Sequence, residues 1–286
     1  MANPEQEQRI ARQREELAPG TLLAQLEAAV GRLQNSEGFQ RYLEVQARFH
    51  QYSWGNILLI LAQRPDATRV AGYQTWRRLN RYVRRGERGI RIIVPWRWRE
   101  RVVNEAGEVV EVERLAFGIG TVFDISQTEG EPLPEVAVPV LEGEEGRELY
   151  SRLAEVARSE GLRVGRSGRD LPEDALGMYL PDQKEILVRE AAPRQMAKTL
   201  AHELAHHFAR PEGARSRGEQ ECIAEAVAYV VCRHGGLDTG ERSFPYIALW
   251  SRDKAVLKGV LATIQQVSAR IIDGLEKMPP TKRSNR

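Results

Sequence analysis

The residues best suited to chemistry lie in one short segment, His202-Glu203-Leu204-Ala205-His206. The surrounding sequence has helical periodicity, and two imidazoles four residues apart project from the same face of a helix. Such a pair can bind one Zn²⁺ while the glutamate between them lies beside an open coordination position. The spacing therefore predicts a metal centre with His202 and His206 as ligands and Glu203 as the catalytic residue.

A catalytic zinc site needs a third protein ligand. The next predicted helix, 217–234, carries Glu221 and Glu225 one turn apart on one face. We predict Glu221 as the ligand, with Glu225 as the alternative ligand or as a partner that orients a histidine. Cys222 is a further alternative, and His207 points away from the histidine pair and is expected to be structural. Two imidazoles and one carboxylate favour Zn²⁺ without excluding manganese.

This donor set indicates hydrolysis. Zinc lowers the pKa of water to near 7 and polarises a carbonyl group. Glu203 would take the proton of the attacking water and pass it to the leaving amine. The predicted enzyme is a zinc-dependent metalloendopeptidase. Tyr179 and Tyr229 could stabilise the oxyanion, although a structural role is favoured for each.

The charged residues form two opposite blocks. Residues 64–101 contain twelve arginines and three acids, a net charge of +9, whereas residues 102–146 contain eleven acids and one arginine, a net charge of −10. Guanidinium groups bind phosphate bidentately and stack on bases. The first block therefore predicts a basic working face, and the second could screen it by charge.

Aromatic residues interleave with these arginines. Aromatic platforms beside a basic groove are typical of proteins that bind single-stranded DNA with little sequence preference. For Trp54 and Trp76 taken individually, a place in the core is favoured. The predicted DNA-binding residues are Tyr52, Trp54, Asn56, Arg69, Tyr73, Trp76, Arg77, Arg81, Arg84, Arg85 and Arg88.

The elements that position these residues form a predicted α+β fold with two domains, which a length of 286 residues suits. In the first half, helices precede a β-hairpin whose turn falls at Asn104–Gly107. In the second half, two strands joined at Pro181-Asp182 precede helices over 193–210, 217–234 and 245–273. The predicted segments are a flexible start (1–20), a DNA-binding domain (21–127), an acidic linker (128–146), a metallopeptidase domain (147–275) and a disordered tail (276–286).

Several motifs carry a resemblance to known families. The segments YSWGN, RPDATRVAGYQTW, RRGERGI and VFDISQTEG resemble the N-terminal single-stranded-DNA-binding domain of the ArdC antirestriction proteins of conjugative plasmids. The segments HELAHH and GEQECIAEAVAYVV are similar to the ImmA/IrrE-type zinc metallopeptidases. The resemblance implies non-specific binding of single-stranded DNA and a zincin-like (gluzincin) site with His202, His206 and Glu221 as ligands and Glu203 as catalytic residue.

The expected function is therefore a single-stranded-DNA-binding protein with a zinc metallopeptidase domain and an antirestriction, DNA-protecting role. Its partners would be single-stranded DNA and an unidentified protein substrate. Two alternatives stay open: a regulatory peptidase that cleaves a repressor, and a non-catalytic DNA-binding protein with a structural zinc. The sequence has no apolar run long enough to span a membrane and no secretory signal, which predicts a cytoplasmic protein.

Overall fold

The computed structural model shows a mixed α+β fold, as predicted, and its chain clusters into two compact units. The first unit comprises residues 1–29 and 55–133, and the second comprises residues 30–54 and 134–286. Residues 30–54, which the sequence placed in the DNA-binding domain, thus cluster with the C-terminal part of the chain. The structure describes residues 19–33, 36–103, 108–132, 145–166, 171–172, 175–209, 216–237 and 254–278.

The first unit combines short helices with antiparallel strands. A three-stranded sheet has the order β1-β4-β3, and β2 pairs with β5. A 3₁₀ turn over Ile125–Gln127 separates β4 from β5. The elements are α1 (Pro19–Arg32, which continues into the second unit), α3 (Trp54–Gln63), β1 (Val70–Gly72), α4 (Tyr73–Arg78), β2 (Arg81–Val83), β3 (Ile90–Val103), β4 (Val109–Asp124) and β5 (Thr128–Gly130).

The long hairpin of β3 and β4 is the predicted one. Its register runs from Ile90 opposite Val122 to Val103 opposite Val109. Only its base is buried, because Ile90, Ile92 and Val122 face the core whereas residues from 95 to 101 are exposed. The predicted turn at 104–107 lies outside the described residues.

Amide side chains of α3 hold the edge strand β3. Asn56 donates to the carbonyl of Ile93 and accepts from its N–H, both at 2.8 Å. Gln63 does the same with Arg91, at 2.8 and 2.9 Å. These bonds satisfy backbone groups that an edge strand leaves unpaired.

The second unit places helices around a small mixed sheet. Strand β8 lies between β6, which is parallel to it, and β7, which is antiparallel. The predicted strand pair around 181–182 is β7 and β8. The elements are α2 (Ser36–Arg48), α5 (Glu145–Ser159), β6 (Arg163–Arg166), β7 (Gly177–Leu180), β8 (Glu185–Val188), α6 (Pro193–Phe208), α7 (Arg217–His234) and α8 (Lys254–Lys277).

Features of the local sequence favour the formation of helices α6 and α7. Proline occupies the first turn of α6, where its missing N–H costs nothing. Met196, Leu200 and Leu204 follow at four-residue spacing and are buried. Ser216 and Glu219 cap α7 reciprocally through side chain and backbone. The two helices pack against each other.

Some predicted boundaries differ from the observed ones. Helix α8 continues to Lys277, four residues beyond the predicted end at 273 and into the segment predicted as tail. Residues 1–18, 133–144, 238–253 and 279–286, which contain most of the predicted flexible start, linker and tail, lie outside the described residues. Within the described part of the chain, no helix is both long and apolar enough to cross a bilayer.

Candidate metal centre and nucleic-acid surface

Helices α6 and α7 bring the predicted ligands together. The Nε2 atoms of His202 and His206 are 3.1 Å apart. The Oε2 atom of Glu221 lies 3.4 Å from Nε2 of His202 and 3.8 Å from Nε2 of His206. Three donor atoms therefore converge from one helical turn of α6 and the facing turn of α7.

The three side chains fit a divalent transition metal. Ligands about 2.0–2.1 Å from a tetrahedral Zn²⁺ lie about 3.3–3.4 Å from one another. The observed separations of 3.1, 3.4 and 3.8 Å bracket that value. Two imidazole nitrogens and one carboxylate oxygen suit Zn²⁺ and also other first-row divalent ions such as Mn²⁺.

Glu225, the alternative ligand, faces the other side of the His202 ring. Its Oε2 lies 3.4 Å from Nδ1 of His202, and its Oε1 lies 2.6 Å from Nζ of Lys198. Burial alone would raise the pKa of Glu225, but His202 and Lys198 lower that pKa to about 2. This placement orients Nε2 of His202 toward His206, so the geometry favours Glu221 as the ligand and Glu225 as the orienting partner.

The two ligand imidazoles differ in basicity. Burial opposes a charge on His202, but the carboxylates of Glu221 and Glu225 raise its pKa to about 9. Burial, followed by the charge of His202, lowers the pKa of His206. One proton between the two rings accounts for both directions. A metal ion competes with that proton, because an imidazole binds metal only in its neutral form.

Glu203 lies beside the ligands on the buried side of α6. It is only 8% exposed and accepts a hydrogen bond from the backbone N–H of Tyr179 in β7. Burial raises the pKa of this carboxyl group, and the neighbouring His202 opposes that rise. A carboxyl group held in this way has the affinity for protons that a general base and acid requires.

Gly177 permits the close approach of β7 to this helix. A Cβ atom at Gly177 would lie 2.5 Å from Cγ2 of Thr199 and 3.0 Å from Oε1 of Glu203. The first distance is shorter than two carbon atoms tolerate. Only glycine therefore fits this strand position without displacing the side chain of Glu203 or Thr199.

The remaining candidates near the centre have structural partners. The Tyr179 hydroxyl lies 2.8 Å from Nδ1 of His207, and their rings meet edge to face. Tyr229 donates to Glu44 at 3.2 Å. Burial raises the pKa of the Cys222 thiol to about 12, with Glu225 adding to that rise. A thiol that resists ionisation is a poor metal ligand.

Two predicted DNA-binding residues have structural roles instead. Trp76 is 2% exposed and donates its indole N–H to the carbonyl of Phe123 at 2.9 Å, so its ring has no face available for a base. Asn56 is 8% exposed and is bonded to β3 as described above. Both side chains are thus engaged within the fold, and for Trp76 the core position favoured for it individually is the observed one.

Of four further predicted residues, two are arginines with hydrogen-bond partners and two are half-buried aromatic residues. The guanidinium of Arg81 donates to Thr128, Gly130 and Glu131, which ties β2 to β5. Arg84 donates to Glu87 and to the backbone of Ser126. Both groups therefore already have partners within the first unit. Tyr52 and Trp54, by contrast, are half-buried and cluster with the second unit.

Exposed aromatic and basic side chains do occur in the first unit. The predicted residues that are exposed are Arg69, Tyr73, Arg77, Arg84, Arg85 and Arg88. The hairpin adds Trp96 (71% exposed) and Trp98 on one face of β3, two residues apart. Tyr82 and Phe117 are also exposed. Tyr82, Trp96, Trp98 and Phe117 were not among the predicted site residues, although the alternation along the strand was the signal that could have identified the tryptophan pair.

Part of the acidic block pairs with part of the basic block inside the hairpin. Arg97 lies 3.3 Å from Glu113, and Arg99 and Arg101 lie 3.8 and 3.4 Å from Glu111. All five side chains are exposed, so each pair contributes little to stability. The pairs nevertheless place two carboxylates against three of the twelve arginines of the basic block.

Two residues of the metal centre were missed. Lys198 lies one turn before His202 on α6, and this i, i+4 spacing could have identified it. Gly177 has no local signal of this kind, because its role depends on the packing of β7 against α6.

Comparison with known proteins matches the N-terminal part of the chain to a protein family. Residues 12–123 match the protein family described as the N-terminal domain of anti-restriction factor ArdC. The predicted resemblance is therefore confirmed for this segment, which is less than half of the chain. The resemblance of the C-terminal half to ImmA/IrrE peptidases stays a prediction.

Relatives extend over more of the chain at low identity. An uncharacterized protein of Bacillus anthracis is 25% identical over 282 residues, which covers 81% of this chain and 46% of that protein. The chain thus spans about half the length of this relative. The crystal structure of antirestriction protein ArdC from plasmid R388 in its metal-free form covers 79% of this chain and 85% of its own, with 20% identity and a TM-score of 0.48. The Mn(II)-bound form of that protein has 18% identity and a TM-score of 0.43, with the same coverage.

Proposed function

We propose that the protein is a single-stranded-DNA-binding, zinc-dependent peptidase with a role in protecting DNA from restriction. The observation that carries the catalytic part is the position of Glu203. A buried carboxyl group with a raised pKa lies beside three converging metal-binding side chains, His202, His206 and Glu221. A purely structural metal site has no use for such a group, because all its positions are filled by ligands.

Each residue of this centre has a separate role in the proposed reaction. A divalent ion held by His202, His206 and Glu221 acidifies water and polarises a carbonyl oxygen. Glu203 accepts the proton from the attacking water and delivers it to the leaving nitrogen. Glu225 keeps His202 oriented, and Lys198 keeps Glu225 charged and in place.

Strand β7 offers a means of positioning a peptide. It is the edge strand of its sheet, and the N–H of Tyr179 already reaches Glu203. An extended peptide that pairs with a sheet edge presents successive carbonyl groups in register. This arrangement supports peptides as the substrate class of the centre.

The DNA-binding part rests on the exposed aromatic residues of the first unit and on the match of this segment to the ArdC N-terminal domain. Trp96 and Trp98 lie on the same face of β3 and can stack on successive bases. Tyr73 and Arg77 are both exposed on α4 at i, i+4 spacing, so one can stack on a base while the other contacts a phosphate.

The peptidase is tested with the full chain loaded with Zn²⁺ or Mn²⁺ and supplied with fluorophore-labelled casein. We expect cleavage that chelation abolishes and that Glu203→Gln removes while the metal content stays the same. Glu155→Gln, an exposed position on α5, is the matched control. Metal bound without any cleavage of casein, or of the chain itself by mass spectrometry, would favour the structural-zinc alternative.

DNA binding is tested by fluorescence anisotropy with a labelled oligothymidine over a range of salt concentrations. Each base that loses a stacking partner costs about 1–3 kcal/mol, so Trp96→Ala with Trp98→Ala should weaken binding at least tenfold. Val109→Ala, which is exposed on the same hairpin, is the control. Affinity should fall with salt at a slope of about −0.7 per phosphate contacted. A weak, salt-insensitive affinity would favour the repressor-cleaving alternative.

A further inference from the structure

A second cluster of metal-binding side chains lies away from the HExxH motif in the sequence. His50 follows α2, His234 is the last residue of α7, and Glu276 lies near the end of α8. The Oε1 atom of Glu276 is 3.6 Å from Nε2 of His50 and 3.6 Å from Nε2 of His234. Asp273, one turn earlier on α8, places Oδ1 3.6 Å from Nε2 of His50.

His50 is a buried polar side chain without a hydrogen bond. It is 6% exposed, and within the described residues neither of its ring nitrogens has a hydrogen-bond partner. The 3.6 Å separations from Asp273 and Glu276 are too long for hydrogen bonds. Buried polar atoms in folded proteins are nearly always satisfied, so this ring requires an explanation.

The tautomer of His234 points to the same explanation. Its Nδ1 lies 3.0 Å from the carbonyl oxygen of Ala47, which can only accept a hydrogen bond. Nδ1 therefore carries the proton, and in the neutral ring Nε2 presents a lone pair toward Glu276. A lone pair facing a carboxylate is unfavourable unless a metal ion lies between them or a second proton binds the ring at Nε2. Fixing Nδ1 on a backbone carbonyl is also how metal-binding histidines are usually oriented.

We propose that His50, His234 and Glu276 form a second site for a divalent transition metal, with Asp273 beside His50. The two separations of 3.6 Å between Glu276 and the histidines are close to the value of about 3.3–3.4 Å expected between ligands of a tetrahedral Zn²⁺. Two imidazoles and one carboxylate suit Zn²⁺ best, with Mn²⁺ as an alternative occupant.

The ion of the second site is structural. The ion joins the end of α2 to the ends of α7 and α8, all within the second compact unit. It therefore holds in place a segment, residues 30–54, that is distant in sequence from the rest of that unit. The proposal does not depend on the peptidase.

The test separates the two sites by metal content and by melting temperature in full-length protein. The protein is stripped with chelator, dialysed against buffered Zn²⁺ and analysed by elemental mass spectrometry. The wild type should bind two ions, and His202→Ala with His206→Ala should retain one. In that background, Zn²⁺ at about 100 times its Kd should raise the melting temperature by about 5–10 °C.

Adding Glu276→Gln to the same background should abolish the remaining ion and the Zn²⁺-dependent shift. Glu276 is half exposed, so this variant should fold, and circular dichroism checks that it does. Gln266 is exposed on the same helix, and Gln266→Ala is the matched control. In the same background it should retain the remaining ion and the Zn²⁺-dependent shift in melting temperature. A wild type that binds one ion, and a histidine-deficient background without ion or shift, would overturn the proposal. His50 and His234 would then be ordinary ion-pair partners of the two carboxylates.

Discussion

The two histidine clusters of the second unit share a donor set but differ in their surroundings. Each combines two imidazoles with a glutamate. The first, His202 with His206 and Glu221, has a buried carboxyl group beside it and an edge strand along it. The second, His50 with His234 and Glu276, instead has the carboxylate of Asp273 3.6 Å from His50. Donor chemistry decides whether a metal binds, whereas the groups around the donors decide whether the metal can do chemistry.

The two clusters also differ in which parts of the chain supply their ligands. The first takes its ligands from two consecutive helices, and two of these ligands are one turn apart on α6. The second takes its ligands from the ends of three elements widely separated in sequence. A cluster of the second type forms only after the unit has folded, so its metal stabilises a completed fold.

The largest expected effect comes from removing the proton acceptor that distinguishes the first cluster. Glu203→Gln keeps the shape of the side chain but cannot transfer a proton. General acid–base catalysis contributes about 10²–10⁴-fold, so casein cleavage should fall at least 100-fold. Zinc content by elemental analysis should not change, because Glu203 is not among the proposed ligands. A variant that retains wild-type turnover would remove the main difference between the two clusters.

The next effect concerns the orientation of His202. Glu225→Gln weakens the interaction with Nδ1 of His202 and leaves Lys198 without its charged partner. Loss of such orienting partners typically lowers metal affinity about 10–100-fold. Competition with a chelator of known affinity measures this change, and Glu155→Gln provides the control. An unchanged affinity would show that the orientation of His202 comes from helix packing alone.

A smaller effect is expected from Gly177→Ala. The added methyl group would overlap Thr199 and contact Glu203, so one of the two side chains must move. Displacing a catalytic carboxyl group by a fraction of an ångström should lower casein cleavage about tenfold without loss of zinc. Gly259→Ala on α8, where a Cβ meets nothing within 4 Å, is the matched control. Equal activity of the two variants would mean that β7 does not constrain Glu203.

Much of the first cluster could be predicted because its determinants are local. The four-residue spacing of His202 and His206 places them on one helical face whatever the rest of the chain does. The capping pair of Ser216 and Glu219 sets the start of α7, and so the phase of Glu221. Only the choice between Glu221 and Glu225 required the structure, because it depends on how the two helices face each other.

The second cluster and the edge-strand contacts could not be predicted, because they depend on packing. Nothing near His50 in sequence indicates His234 or Glu276. Trp76 lies in the basic block and Asn56 lies shortly before it, and both were predicted to bind DNA. Their hydrogen bonds to Ile93 and Phe123 depend on where α3 and α4 pack, which periodicity does not specify.

The smallest expected effect tests whether the third histidine of the HELAHH segment belongs to the first cluster. His207 contacts Tyr179 rather than the ligands, so His207→Phe should leave zinc stoichiometry and casein cleavage unchanged. The lost hydrogen bond should reduce the free energy of unfolding by about 1 kcal/mol. For a protein of this size that corresponds to a melting temperature about 2–4 °C lower, measurable by calorimetry. Loss of one zinc equivalent would instead place His207 among the ligands, and the first cluster would then have four protein donors and no open position.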